Sequence, residues 1–548
     1  MKTWLWGLLF VLLATGALPP WGMWGLVFLA PVPLVWWILE PERPRGTFAK
    51  AWCTGFVFWL FQCHFVRYPH PINYGLWILL SAYLGLYLPL FIEVSRVWIH
   101  QILQRYPSRW TVLAVVPMVW GGGDILRCWI LTGYPMSSLC HALYRVPLLI
   151  QTADWVGEWG TTATILLAAS CLAVCVSRKE GKLQWHGEIF GVLAVLAAVV
   201  GGYGQYQLHH PLSPPEGKIA LLQGDIPAQL SVTPDLIEKT EKEYLQLARQ
   251  AISQESELDL LVFPESIYRH WVLMADEHPR QPPGLVDETG NPMEYALFQE
   301  RLRQAVTVSH QNLLGFAEHL GVAVVTGCSV EDYSEDGLNS YNSAIYVPRG
   351  ATEVEFCYHK MHLVPFGEYV PMLRSVLRWI PAAEQFSPIG AGGKMGEKPV
   401  LFMIPIGKEG KTLNASINIC FESVIGRLIR RQIATLRQNG QEPDFLLNVT
   451  NNGWFGHSHE TELHLACGVF RAVENRKPLL VAANYGISTS ILASGQISQA
   501  LPIGQSGILI AHVQKDSRQT LYTRFGWFFP WIPVLFLALS PIFSYSRR

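Results

Sequence analysis

Between residues 4 and about 207 the chain runs through seven apolar segments, each set off from the next by a Pro/Gly turn or a short charged loop. They fall at 4–18, 21–39, 49–66, 74–95, 110–127, 160–177 and 187–207, and an eighth occupies 525–545. Runs this apolar suit a bilayer whose hydrocarbon core is about 30 Å thick. Half of the 548 residues are hydrophobic, only 15% are charged, and 21 are Trp, a residue that gathers at membrane–water boundaries. The first two segments are short and meet at Pro19-Pro20, so they form either two spans or one broken, re-entrant segment. A second apolar span follows the first at once, with no polar cleavage region between, so the N-terminal segment is expected to stay as an anchor.

Orientation follows from the placement of Lys and Arg. Lys2, the loop with Arg43, Arg45 and Lys50, the loop with Arg96, Arg105 and Arg109, the loop with Arg178, Lys179 and Lys182, and the tail Arg547-Arg548 all fall on one side of the successive spans. That side is cytoplasmic by the positive-inside rule, which places both termini inside and the polar block 208–524 outside. A net charge of −1 and the lack of a basic stripe argue against nucleic acid as a partner. The ten Cys are scattered, with neither a Cys-x-x-Cys pair nor zinc-site spacing, so no disulfide framework or metal centre is expected.

After a linker at 208–216 the pattern changes to that of a soluble α/β domain over 217–515. Strand-like runs at Ile219–Leu222, Leu258–Phe263, Val322–Gly327, Ser343–Val347, Val354–Tyr358, Val400–Ile404, Leu413–Cys420, Phe445–Val449, Leu479–Ala483, Ile487–Leu492 and Gly507–His512 are interleaved with helical patterns. Those fall near Asp235–Gln254, Glu294–Leu320, Val424–Gln438 and Glu460–Glu474. Such alternation predicts a layered α/β sandwich. Three strand ends carry chemistry. Cys420 closes the run Ser416-Ile417-Asn418-Ile419-Cys420-Phe421-Glu422, as a nucleophile presented at a strand end would. Glu265 follows Leu261-Val262-Phe263-Pro264 and is the candidate general base; Lys360 follows another strand and is the candidate oxyanion cation. Each alone has a plain alternative: an inert buried thiol, a surface Glu closing a Pro turn, a solvated Lys. Arg127, at the outer end of a span and followed by Thr132-Gly133-Tyr134-Pro135, either holds a phospholipid phosphate in its planar donor fork or snorkels at the interface.

The order Glu265, Lys360, Cys420 resembles the carbon–nitrogen hydrolase (nitrilase) superfamily, whose triad is Glu-Lys-Cys. The run His359-Lys360-Met361-His362-Leu363-Val364-Pro365-Phe366-Gly367-Glu368-Tyr369-Val370-Pro371 is more particular. It resembles the apolipoprotein N-acyltransferase family, as does the stretch from Arg127 to Pro135. The resemblance implies a bundle of about eight transmembrane helices joined to an extracytoplasmic nitrilase-like αββα sandwich, in a bacterial inner membrane with the catalytic domain periplasmic. It implies an acyl chain taken from a phospholipid, such as phosphatidylethanolamine, onto Cys420 as a thioester, then passed to the amine of a diacylglyceryl-cysteine lipoprotein. No cofactor is implied, and a monomer is expected. Supporting roles fall to Glu368, which would orient Lys360, and to Glu422, which would hold the pocket and contact the amine. Trp454, in Asn451-Asn452-Gly453-Trp454-Phe455-Gly456, and the aromatic residues Phe421 and Tyr369 would face the lipid. Apolar loops at 269–293 (Trp271, Leu273, Met274) and 373–396 (Leu377, Trp379, Ile380) would gate the site.

The chain departs from the family pattern at Asp225 for Asn, Val232 for Trp, Phe263 for Trp, Phe421 for Tyr and Asn452-Gly453 for Asp-Ala. Val232 puts lipid contacts at that position in doubt, and Asn452 removes a charge near the site. Two other readings stand beside acyl transfer: a membrane-tethered amidase or nitrilase on the same triad, and a lipid-binding scaffold that has kept the fold.

Overall fold

In a computed structural model, residues 1–105, 109–179, 182–229, 233–365, 367–369, 393–407 and 410–539 are described. The apolar half is helical: Lys2–Ala17, Val32–Leu39, Thr47–Gln62, Asn73–Gly85 leading into Tyr87–Arg105, Trp110–Trp129, Glu158–Val174 and Gly187–Leu208. Two stretches, Asn73–Gln101 and Gly187–Leu208, are long and apolar enough to cross a membrane unaided. A third candidate is the pair Pro147–Val156 and Glu158–Val174, bent by 119°. Lys2–Ala17 and Trp24–Leu39 are shorter apolar helices. Large apolar side chains such as Trp4, Leu8, Leu12, Phe61, Leu79 and Val195 lie exposed on this half, as lipid-facing residues would. Helices cross tightly where side chains are missing: a Cβ on Gly55 would sit 2.6 Å from the Gly85 carbonyl, and one on Gly122 would sit 2.6 Å from that of Pro533. The second contact fastens the C-terminal helix Trp531–Ala538 to Trp110–Trp129; the rest of the expected last span, from 540, and the tail Arg547-Arg548 lie outside the described residues. A hairpin, β1 (Val176–Lys179) and β2 (Lys182–Trp185), occupies the expected loop after Glu158–Val174.

The polar half is a sandwich of two sheets. The first contains β3 (Glu216–Gln223), β4 (Leu260–Val262), β5 (Tyr268–Ala275), β6 (Val324–Ser334), β7 (Gly337–Val347), β8 (Phe356–His359) and β15 (Gly507–Val513). Its order is β15-β3-β4-β6-β7-β8, with β5 also beside β6. The second contains β9 (Leu401–Ile406), β10 (Lys411–Ile419), β11 (Phe445–Asn451), β12 (Leu479–Asn484), β13 (Thr489–Ile491) and β14 (Ile497–Ala500), ordered β14-β13-β12-β11-β10-β9. Inward-facing residues of the two sheets, among them Leu221, Val262, Tyr346, Phe402, Ile417 and Leu447, share one core. Helices Pro234–Gln254 and Tyr295–Leu320 cover the outer face of the first sheet, and Gly426–Gln438 and Glu460–Asn475 that of the second. The expected αββα layering is present. The expected gate at 269–293 is not a loop throughout: its first part is β5, paired in parallel with β6 from Val272 to Ala275. The second expected gate lies outside the described residues from 373 to 392, as does Val232.

Helix Glu460–Asn475 is buried on nearly every side, because the membrane half occupies the flank that would otherwise meet water. Its charges are met there. Arg471 reaches Glu158 and Glu474, both at 2.9 Å, and Arg476 reaches Asp154 at 2.6 Å and Gln151 at 2.7 Å. The two halves are joined through buried, paired charges as well as apolar packing.

Candidate active site

Three strand ends converge where the two sheets face the membrane half. Chain direction explains it: β10 and β11 run parallel, so Cys420 emerges beside Thr450 and Asn451. On the other sheet β7 and β8 bring Asn342 next to Lys360, whose N–H donates to the Asn342 carbonyl at 2.8 Å. Glu265 bridges the sheets. Its Oε2 accepts the Asn451 N–H at 2.9 Å, while its Oε1 accepts Asn342 Nδ2 at 2.7 Å and Lys360 Nζ at 3.3 Å.

Lys360 is 1% exposed, and burial opposes its charge. Glu265 and Glu368 outweigh that, so its pKa stands well above the ordinary lysine value and the ammonium persists. Glu368 lies 2.9 Å from Lys360 and accepts the Val364 N–H at 2.8 Å; burial would raise its pKa, but the Lys360 charge holds it below the usual value. Cys420 has a left-handed backbone, φ 51°. Burial and then the Glu265 charge push its thiol far above the ordinary range, against Lys360 and a hydrogen bond from the Thr450 hydroxyl. Burial and the Glu265 charge thus favour the protonated thiol at Cys420.

Glu422 is completely buried. Its Oε1 accepts the N–H groups of Met361 at 2.6 Å and His362 at 2.9 Å, and its Oε2 accepts the Tyr358 hydroxyl and the Ile419 N–H, each at 2.7 Å. Burial lifts its pKa to about 7 despite these donors. With both oxygens taken by four donors it ties together the segments that carry Cys420 and Lys360 and offers no open face to an amine, so the expected contact with the amine is corrected.

Arg127 also departs from expectation. It is 3% exposed and all its donors are used: Asp124 takes Nε at 3.0 Å and Nη2, the carbonyls of Tyr134 and Met136 take Nη1, and Ser138 takes Nη2 at 2.7 Å. The guanidinium also lies 5.2 Å from the Trp59 ring centre. Neither a phosphate site nor a snorkelling side chain, it is an internal staple that closes the turn after its own helix.

Phe421 and Tyr369 sit at the junction of the halves. Phe421 packs against a buried cluster that includes Phe65, Met136 and Leu463, and Tyr369 bonds to the Thr132 side chain. Trp454 is half-buried on a turn made tight by Gly453, where a Cβ would lie 2.6 Å from the Ala228 nitrogen. The next residue, Phe455, meets Phe65 edge-on at 5.5 Å.

Sequence reasoning passed over Asn342, Thr450, Ser423 and His464. The last had a faint signal, since Glu460 and His464 share a helix face at i, i+4; Asn342 had none, being one polar residue in a partly exposed strand.

The family model for carbon–nitrogen hydrolase matches residues 218–522, and that for the apolipoprotein N-acyltransferase N-terminal domain matches 7–171. An apolipoprotein N-acyltransferase of Rhodopirellula baltica is 29% identical over 545 residues, covering 93% of this chain and 91% of the relative. One from Geobacter metallireducens is 29% identical over 538 residues, covering 94% and 92%. Among solved structures, an amidase from Nesterenkonia sp. overlays 56% of this chain and 94% of its own at 17% identity, with a TM-score of 0.35.

Proposed function

The chain belongs to the carbon–nitrogen hydrolase family, and within it we propose that the protein is an apolipoprotein N-acyltransferase, moving a fatty acyl group from a membrane lipid to the N-terminal amine of a lipoprotein. The observation that carries this reading is the position of the Glu265–Lys360–Cys420 cluster against the membrane half, where Arg427 donates to the Thr132 carbonyl at 3.4 Å and Tyr369 meets the Thr132 side chain. A hydrolase of small soluble amides has no use for that placement.

Cys420 Sγ attacks the sn-1 ester carbonyl of a phospholipid, phosphatidylethanolamine in our reading, while Glu265 takes the thiol proton. Lys360 stabilises the tetrahedral oxyanion. Collapse breaks the C–O bond, the lysophospholipid oxygen recovers the proton from Glu265, and the thioester remains. The lipoprotein amine then attacks the thioester, Glu265 receives its proton, and the departing thiolate is reprotonated as the amide forms. Glu368 and Asn342 position Lys360 and Glu265; Phe421, Tyr369 and Trp454 line the lipid side. In this reading about eight helices span the bacterial inner membrane, the catalytic domain is periplasmic, and the enzyme acts as a monomer.

The test is intact-protein mass spectrometry after incubation with phosphatidylethanolamine, beside Cys420→Ala. An acyl increment that hydroxylamine removes, that the variant lacks, and that a diacylated lipopeptide discharges onto its amine is the expected result. Discharge only to free fatty acid identifies a hydrolase instead, and turnover of small amides without any adduct overturns the acyltransferase reading.

A further inference from the structure

Beside Cys420 lies a polar network that the proposed reaction does not use. Ser423, three residues past Cys420, donates its hydroxyl proton to the Cys420 carbonyl at 3.2 Å. The same oxygen of Ser423 is 2.6 Å from His464 Nε2. Because its own proton is committed, Ser423 must receive the Nε2–H, and the ring also reaches the Cys420 carbonyl. His464 is 7% exposed, and burial drops its pKa to about 4, so the ring is neutral and Nδ1 is an acceptor. That acceptor faces Asn452 Nδ2 at 3.3 Å; the other amide proton of Asn452 goes to Glu460 at 2.9 Å. Donors therefore run one way, from Asn452 to His464 to Ser423 to the Cys420 carbonyl, and the tautomer is fixed along the line. Asn448 Nδ2 adds a further bond to that carbonyl at 3.2 Å.

A left-handed backbone at a non-glycine residue needs such anchoring, since sterics alone disfavour it. We propose that Asn452, His464 and Ser423 form a positioning relay for the nucleophile, holding the carbonyl of Cys420 so that its strained backbone aims the thiol at the acyl carbon between Glu265 and Lys360. His464 is here a positioning residue and touches no substrate. A cavity of about 20 Å³ beside it, lined by Ser423, Thr450, Asn452, Thr461 and His464 among others, has room for one water, so modest changes of side chain there are accommodated. The inference rests on Cys420 being the nucleophile, and it is testable without the lipid reaction.

The full-length protein and its His464→Phe, His464→Gln and Ser423→Ala variants are compared by two rates. One is alkylation of Cys420 by iodoacetamide, followed by peptide mass; the other is growth of the acyl adduct with phosphatidylethanolamine. His464→Phe is expected to slow both by about tenfold without raising the lipid concentration for half-maximal rate, and Ser423→Ala by about fivefold. His464→Gln can still donate to Ser423 and should recover to within about threefold of wild type. Unchanged melting with all variants within about twofold of wild type on both rates overturns the inference. If His464→Phe does not fold, the Ser423→Ala and Gln variants decide alone, and wild-type rates in both overturn it. Slowed alkylation in the variants, with no lipid adduct even in wild type, upholds the relay and sinks the acyltransferase reading.

Discussion

Glu422 accepts the hydroxyl of Tyr358 at 2.7 Å, and that bond fastens the segment carrying the nucleophile to the strand that delivers Lys360. The remaining donors, the N–H groups of Ile419, Met361 and His362, come from the same two segments. Glu422→Ala leaves four buried donors without an acceptor, each costing about 1–3 kcal/mol, so a loss of several kcal/mol in stability is expected. Glu422→Gln keeps one oxygen and should fold, with adduct formation down by about 10- to 100-fold and half-saturation by a lipopeptide acceptor unchanged. Melting curves and acceptor titrations check both; a raised acceptor requirement in the Gln variant would put Glu422 against the amine after all.

In the proposed reaction Glu368 acts through Lys360, which it contacts directly. Its carboxylate lies closer to the ammonium than that of Glu265, 2.9 Å against 3.3 Å. Glu368→Gln removes one of the two anions that keep the buried ammonium charged and fixed in place. The acylation rate should fall by about 10- to 100-fold, with lipid half-saturation little altered, since the loss is in transition-state stabilisation. Single-turnover mass spectrometry across a range of lipid concentrations separates the two effects.

The grouping of Glu265, Lys360 and Cys420 could be read from the chain because each stands just past an apolar strand within a distinctive local run, and strand ends are set by local pattern. Every anticipated helix of the polar half is present, from Pro234–Gln254 to Glu460–Asn475, within two residues at each end. What could not be read depends on the chain meeting itself. The burial of helix Glu460–Asn475 comes from Asp154 and Glu158, some three hundred positions away, which neutralise a face that looks solvent-exposed in sequence. β5 was hidden because Arg269, His270 and Trp271 interrupt the alternation, and its register with β6 shifts between Tyr268 and Val272. The environment of Arg127 was hidden for a third reason. Leu131, Thr132 and Gly133 all take positive φ, turning the chain back so that the Tyr134 and Met136 carbonyls meet the guanidinium.

That turn makes a clear prediction for Arg127. Arg127→Ala leaves Asp124 as an unpaired buried charge and frees two carbonyls, so a loss of about 3–5 kcal/mol is expected. Asp124→Asn combined with Arg127→Gln removes both charges and should recover part of it. A phosphate-binding role predicts the opposite pattern: near-normal melting in Arg127→Ala and a large rise in the lipid concentration needed for acylation. Thermal melting of the single and double variants, with a phosphatidylethanolamine titration of whichever folds, distinguishes them.

Glu460 gives the protein a dependence on pH that can be signed. Burial raises its pKa from 4.5 to about 7, opposed only by the Asn452 hydrogen bond. A carboxyl whose pKa is higher in the folded state than in the unfolded chain binds its proton more tightly there. Its stabilising contribution is therefore complete below about pH 4.5 and is lost as pH rises through about 7, a change of about 3 kcal/mol. Above that range a bare carboxylate remains in an apolar setting with Asn452 as its hydrogen-bond donor, and the line of donors that ends at Cys420 starts from that same amide. Glu460→Gln keeps an oxygen for Asn452 and removes the titration. The stability of the variant relative to wild type should be lowest near pH 4.5 and should rise by about 3 kcal/mol by pH 8.5, most of it between about pH 5 and 7. Glu422 and Glu474, also lifted to about 7, and His464, lowered to about 4, contribute alike to both proteins and cancel in the difference. Parallel melting curves for the two proteins across the range would show that Glu460 does not carry the dependence.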